Sequence, residues 1–411
     1  MATTTVRHHA PIDVHHACQV EASLITTDHA TEVFARIAPE ASGTSRNACD
    51  VQTRVVYEAL AAMLQELNAE LDHVVIEKAF FRNLPADHDD FDQLRLEFYR
   101  KQGITNGDLP AVTHIGQSPC QPGVDVELQV YAVVPTSSDS VNIQSLPAPR
   151  EGAAVKLLEV GPARQLFISN LTGHGLNGDG HGTFREQSQQ VFQAASDALE
   201  AAGGRFSNVL RTWFYLDEID ADYAELNAAR NAFYETEALD RLPASTGIGG
   251  SPHPAPAAFA ADFFALLNPE IAQLSTMTTP LLNEATDYGS AFSRGVKMAL
   301  PQSTYLFLSA TPSADEKGET VHPGGIRGQI ERVLLNIEEL LKAQNASFSD
   351  LAQAVTYMRS ADDLELFQEI CTERGIVDVP HTVVSADICR SDFLLEMETI
   401  AIVATQPAEE D

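Results

Sequence analysis

Over 326–341, Ile326, Ile330, Val333, Leu334, Ile337, Leu340 and Leu341 recur on a period of 3.6 residues, which predicts a helix with one buried face. An apolar run of strand length, TYLFLSAT, stands before it and a second, DLAQAVTYM, follows. The same order recurs twice upstream. EVFARIAP precedes CDVQTRVVYEALAAMLQELN and HVVIEKAFF, and QLFISNLT precedes FREQSQQVFQAASDALEAAG and NVLRTWFYL. Each copy then has a second helix and a strand pair led by proline: LPAVTHIGQSP, LPASTGIGGSP and VPHTVVSADIC. This self-similarity predicts three units of one type at 20–136, 155–269 and 283–406. A flexible tail at 1–19 and linkers at 137–154 and 270–282 complete the expected division, the first linker being rich in Ser and Pro. The fold class is α+β, each unit a mixed β-sheet covered on one face by two helices. The other face needs a partner. Three units can bury those faces together as a pseudo-trimer, so the chain is expected to be a monomer.

Composition adds little to this picture, at 44% hydrophobic and 20% charged residues. No run of eighteen apolar residues exists, so no membrane partner is expected. The first residues, MATTTVRHHAPIDVHHACQV, lack the regions of a signal peptide. Five scattered cysteines without a C-x-x-C pair point to neither zinc nor disulfides, and to a cytoplasmic location. Charge changes the picture more. With 58 acidic against 26 basic residues, the net charge of −32 repels phosphate backbones, and no basic block relieves it. Nucleic acid is therefore not expected as a partner. A small anionic metabolite requires arginines gathered locally.

The stretch GHGLNGDGHG at 173–182 contains G-x-G-x-x-G, yet five further residues separate its last glycine from the helical pattern. A dinucleotide loop needs that glycine at the helix start, so the stretch is read as the long loop of the second unit, with His174 and His181 near a cleft mouth. A calcium-loop reading from Asn177, Asp179 and His181 fails because the twelfth position is Ser188. His8, His9, His15 and His16 lie in the expected tail without a carboxylate partner. No cofactor and no metal are expected.

The three units resemble the reactive intermediate deaminase (Rid/YjgF) family, the third copy most clearly through LFLSATPSADEKGETVHPGGIRGQ and FLLEMETIAIV. The resemblance implies RidA-like (chorismate-mutase-like) units with sites in the clefts between them. Residues 155–405 also resemble chorismatases, Rid-fold enzymes that release pyruvate from chorismate, through VLRTWFYLDEID, RLPASTGIGG, NEATDYGSAFSR and DICRSDFLLEMET. Rid deaminases bind a carboxylate with an arginine just after the proline-led turn. That slot holds Val112, Ser245 and His381 here, so ordinary imine deamination is not expected. Fifteen residues beyond each slot stand Glu127, Ala260 and Glu396. The chorismatase resemblance assigns Glu396 as proton donor, and its apolar surroundings favour a neutral carboxyl. Period two puts Arg211, Trp213 and Tyr215 on one strand face, suited to a substrate with carboxylates and a flat ring. Ser245, Thr246, Asn227 and Ser169 complete the expected binding set. Two alternatives stay open at this point: another RidA-type imine- or enamine-processing enzyme, and a non-catalytic small-molecule-binding protein.

Overall fold

The structure, a computed structural model, describes residues 5–8, 17–40, 48–105, 107–173 and 182–405. The first unit consists of β1 (Thr5–His8), β2 (Cys18–Thr26), β3 (Ala30–Pro39), α1 (Ala48–Glu66), β4 (Val74–Phe81), α2 (Leu84–Lys101), β5 (Ala111–Ile115), β6 (Ser118–Pro119) and β7 (Val126–Pro135). The second consists of β8 (Val141–Leu146), β9 (Ala154–Val160), β10 (Ala163–Thr172), α3 (Phe184–Ala201), β11 (Val209–Leu216), α4 (Ile219–Thr236), β12 (Ala244–Gly249) and β13 (Phe259–Leu266). The third consists of β14 (Gln273–Met277), β15 (Gly295–Ala299), β16 (Ser303–Pro312), α5 (Ile326–Lys342), β17 (Leu351–Met358), α6 (Leu364–Glu373), β18 (His381–Ser385) and β19 (Leu395–Ala404).

Each unit forms one mixed sheet, ordered β1-β2-β3-β7-β4-β5, β12-β11-β13-β10-β9-β8 and β14-β15-β16-β19-β17-β18-β6. One parallel pair per sheet, β4/β5, β11/β12 or β17/β18, is bridged by the second helix of its unit. The segments expected as linkers are not free connections. Residues 141–146 form the edge strand β8 on β9, and residues 273–277 form β14 on β15. Within 1–19, residues 5–8 pair with β2, while His9, His15 and His16 lie outside the described residues. The first unit also lends β6 to the third sheet, where Pro119 stands opposite Val384.

The helices cover one face of each sheet because their apolar stripes match it. On α5, Ile330, Val333, Leu334, Ile337, Leu340 and Leu341 are all buried against Leu306, Leu308 and Met397. A capping box starts α3, with Thr183 and Glu186 each accepting the other's backbone N–H. The other faces of the three sheets meet in one central core. There Phe34 and Tyr131, Phe167 and Phe264, and Phe307 pack as a chain of rings with centroids 4.8 to 5.8 Å apart. Each such aromatic pair adds about 0.5–1.5 kcal/mol beyond the area it buries. Ordered this way, the three sheets share one core inside one chain.

Candidate active site

Strand register makes the three inter-unit junctions comparable residue by residue. Val112, Ser245 and His381 stand opposite Glu77, Thr212 and Ala354. Glu127, Ala260 and Glu396 stand opposite Phe80, Tyr215 and Tyr357. The slot of one unit meets the acid position of the next. Of the three junctions, the one between units two and three carries a large cavity, about 530 Å³, with Ser245 on one wall and Glu396 on the other.

At the other two junctions, described side chains meet where the cavity lies. Between units one and two the acid position is Ala260, and three histidines pack together instead. His88 of α2 stacks on His253 with centroids 3.3 Å apart, and His114 of β5 meets His88 edge-on at 4.5 Å. Counting from the equivalent strands and helices, these three occupy the places of Tyr223, Cys389 and Gly247 at the open junction. Burial drives His114 well below the usual imidazole range, with His88, Arg95 and His253 adding repulsion. No group of three His, Cys, Asp or Glu among the described residues is arranged to hold a metal ion. Between units three and one, Glu127 is locked by Arg36, whose Nε and Nη2 donate to its two oxygens at 3.2 and 2.9 Å.

Glu396 differs from Glu127 in its surroundings. It projects from β19 and is 5% exposed, and its carboxylate makes no hydrogen bond or ion pair with any described residue. Burial pushes its carboxyl up to about 7, against the downward pull of Arg294, Arg359 and Arg390. Near neutral pH it is poised between acid and carboxylate. Arg359 holds the loop behind it by donating to the carbonyls of Phe393, Ile388 and Arg390.

Cations surround the cavity unevenly. Arg390 is already neutralised by Asp392 at 2.8 Å and donates to the Gly318 carbonyl, while Lys317 stands exposed at the rim. Arg294 and Arg230 are 2% and 1% exposed, and neither makes an ion pair with a carboxylate among the described residues. Arg294 donates to the backbone and side-chain oxygens of Asn283. Arg230 donates one bond to Asn227 Oδ1 at 2.5 Å, and its buried Nε has no acceptor. The ring of Phe292 lies between them, 5.4 Å from Arg230 and 5.6 Å from Arg294. Arg294 acts on the carboxyls of Glu396 and Glu284 without pairing directly with either, and Arg230 bonds to a neutral acceptor, so a buried anion in the cavity would offset the cost of both guanidinium groups. Tyr223 and Cys389 stay protonated because burial raises both groups. Gly247 leaves room that a side chain would take, since an added Cβ would sit 3.3 Å from the Tyr223 ring.

The expected site residues divide between this cavity and the molecular centre. Glu396, Ser245 and Asn227 line the cavity. Arg211, Trp213 and Ser169 line a different void, of about 90 Å³, where the three sheets meet. There Arg211 Nη2 reaches Glu398 at 2.6 Å, Trp213 Nε1 donates to Glu398 at 2.8 Å, and Thr246 donates to the same carboxylate. Tyr215 is buried beside them, accepting a bond from Lys78 at 3.0 Å. Arg211, Trp213, Tyr215 and Thr246 were expected beside Glu396, and this is corrected by strand alternation. On β12, Thr246 faces the centre while Ser245 and Gly247 face the cleft. His174 and His181 lie outside the described residues. The residues that sequence reasoning passed over are Arg230, Arg294, Arg390 and Tyr288. Three of them stand inside NEATDYGSAFSR and DICRSDFLLEMET, so the signal was in the strings that carried the resemblance.

The family model for endoribonuclease L-PSP matches residues 161–257 and 287–403. A chorismatase of Streptomyces rapamycinicus is 28% identical over 246 residues, covering 53% of this chain and 71% of the relative. A 3-hydroxybenzoate synthase of Streptomyces hygroscopicus is 25% identical over 250 residues, covering 54% and 71%. A crystal structure of a chorismatase superposes with a TM-score of 0.61 over 91% of this chain and 99% of the other at 17% identity, a likeness of fold that includes the first unit. No helix among the described residues is long and apolar enough to cross a membrane. With more than half its length matched by the family model, the chain belongs to the endoribonuclease L-PSP (RidA/YjgF) family.

Proposed function

We propose that this protein is a chorismatase-type enzyme that cleaves the enolpyruvyl ether of chorismate and releases pyruvate. The observation that carries the reading is Glu396, a buried carboxyl raised to about 7, in a cavity that also holds two buried arginines making no ion pair with any described residue. Similarity to a chorismatase and a 3-hydroxybenzoate synthase supports it. Chorismate offers two carboxylates to Arg230 and Arg294 and a ring to the aromatic walls of Tyr288 and Phe292.

Protonated Glu396 delivers its proton to the methylene carbon of the enol ether. The double-bond electrons form the new C–H bond, and positive charge develops on the ether-bearing carbon as an oxocarbenium-like centre. In the hydrolytic course, water adds there and the hemiketal collapses to pyruvate and the ring alcohol. In the aromatising course, chorismate divides into pyruvate and a hydroxybenzoate with no net water. The Ser245 slot, lacking arginine, weighs against imine deamination. The three units act as one monomer, the substrate is a small anionic metabolite, and the reaction needs no cofactor. Incubation with chorismate, followed by pyruvate assay and identification of the ring product, tests the reading. Pyruvate release supports it. Unchanged chorismate rejects it.

A further inference from the structure

Helices α2 and α4 are both 18 residues long, and each carries an arginine at its twelfth position and a tyrosine at its sixteenth: Arg95 and Tyr99 in the first unit, Arg230 and Tyr234 in the second. In the first unit the arginine is used up internally. Arg95 Nε donates to Glu77 at 2.6 Å and Tyr99 donates to the other oxygen of that carboxylate at 2.6 Å, all three residues being buried. The strand residue equivalent to Glu77 in the second unit is Thr212, as the pairing of Glu77 with Val112 and of Thr212 with Ser245 establishes. Thr212 gives its hydroxyl to Ser245 at 2.8 Å and supplies no charge. Arg230 is left with one neutral acceptor, an orphaned Nε and an open cavity.

We propose that Thr212 is a specificity-determining position: by standing where the equivalent strand carries glutamate, it releases Arg230 from an internal ion pair and makes it the receptor for a substrate carboxylate. Arg230 binds the anion, and Thr212 is a positioning residue that acts through it. The inference rests on the functional reading above for the identity of the anion, but its structural half stands apart. A carboxylate returned to position 212 recreates the Glu77–Arg95 lock, giving a protein that is more stable and binds its substrate less well.

The test uses the full chain as wild type, Thr212→Glu, Arg230→Met and the double variant. Melting is measured first, without ligand. Thr212→Glu is expected to melt above wild type, and to melt lower than Arg230→Met when added to that background, where its carboxylate has no partner. Such a reversal of sign is the mark of direct coupling. Melting below wild type, failure to fold, or the same sign in both backgrounds overturns the proposal. Kinetics with chorismate come second. Thr212→Glu and Arg230→Met should each raise KM at least tenfold with kcat changed less than threefold, and the double variant should show no further loss. Losses that multiply would also overturn it. If wild type leaves chorismate unchanged, the functional reading fails alone, and the melting comparison still decides the role of Thr212.

Discussion

Glu127 and Glu396 occupy the same register position on equivalent strands, yet only one is free to react. Arg36 holds Glu127 through two bonds, whereas Glu396 faces a cavity and burial lifts it to about 7. If the neutral acid is the working form, kcat/KM is level below about pH 7 and falls tenfold per unit above it, as the carboxyl ionises. A pH–rate profile checks this, and a rate that rises through pH 8 would contradict it. Glu396 was legible in the sequence because it stands fifteen residues beyond the proline-led slot in FLLEMET, a string that carried the resemblance, although Glu398 two positions on is acidic too. Arg230 was not. On a helix rich in polar residues an arginine carries no mark of burial, and only the missing carboxylate at position 212 distinguishes it from Arg95.

At the scale of the element, β12 divides two environments. Ser245 and Gly247 face the cleft, while Thr246 turns to the centre and meets Arg211 and Glu398. The same alternation placed Arg211, Trp213 and Tyr215 together on β11, as the sequence implied. Period two says which residues share a face but not whether that face opens on a cleft or on a core. The central group is therefore structural in the first instance. Arg211→Met leaves Glu398 buried without its ion pair, and about 3–5 kcal/mol of stability should be lost. Denaturant unfolding measures that loss, and KM should stay within about threefold because the guanidinium does not reach the cleft. A large rise in KM with unchanged stability would return Arg211 to the binding site.

At the scale of the whole molecule, three like junctions have diverged: one holds the cavity, one is packed with histidines, and one is closed by Arg36 and Glu127. The order of elements made the three units legible, since helix and strand periods repeat with the chain. Which junction stays open depends on contacts between residues far apart in sequence, such as His114 with His253, and local pattern does not record these. The closed junctions should make the fold acid-sensitive. His114 is buried and His381 half-buried, both neutral, His381 lowered to about 3 by desolvation and by Arg36. Their contribution to stability is complete above the unfolded value of about 6.5 and is lost progressively as pH falls from there toward 3. Melting followed from pH 7 to pH 4 should show this decline, and His114→Phe should reduce it. The most direct measurement of the central claim compares wild type with Glu396→Gln on chorismate in D2O, quenched early and analysed for pyruvate. With Glu396 as the proton donor, pyruvate carries one solvent deuterium in its methyl group and the variant is slower by about 10²–10⁴-fold. Absence of pyruvate, unlabelled pyruvate, or a variant as fast as wild type would contradict it.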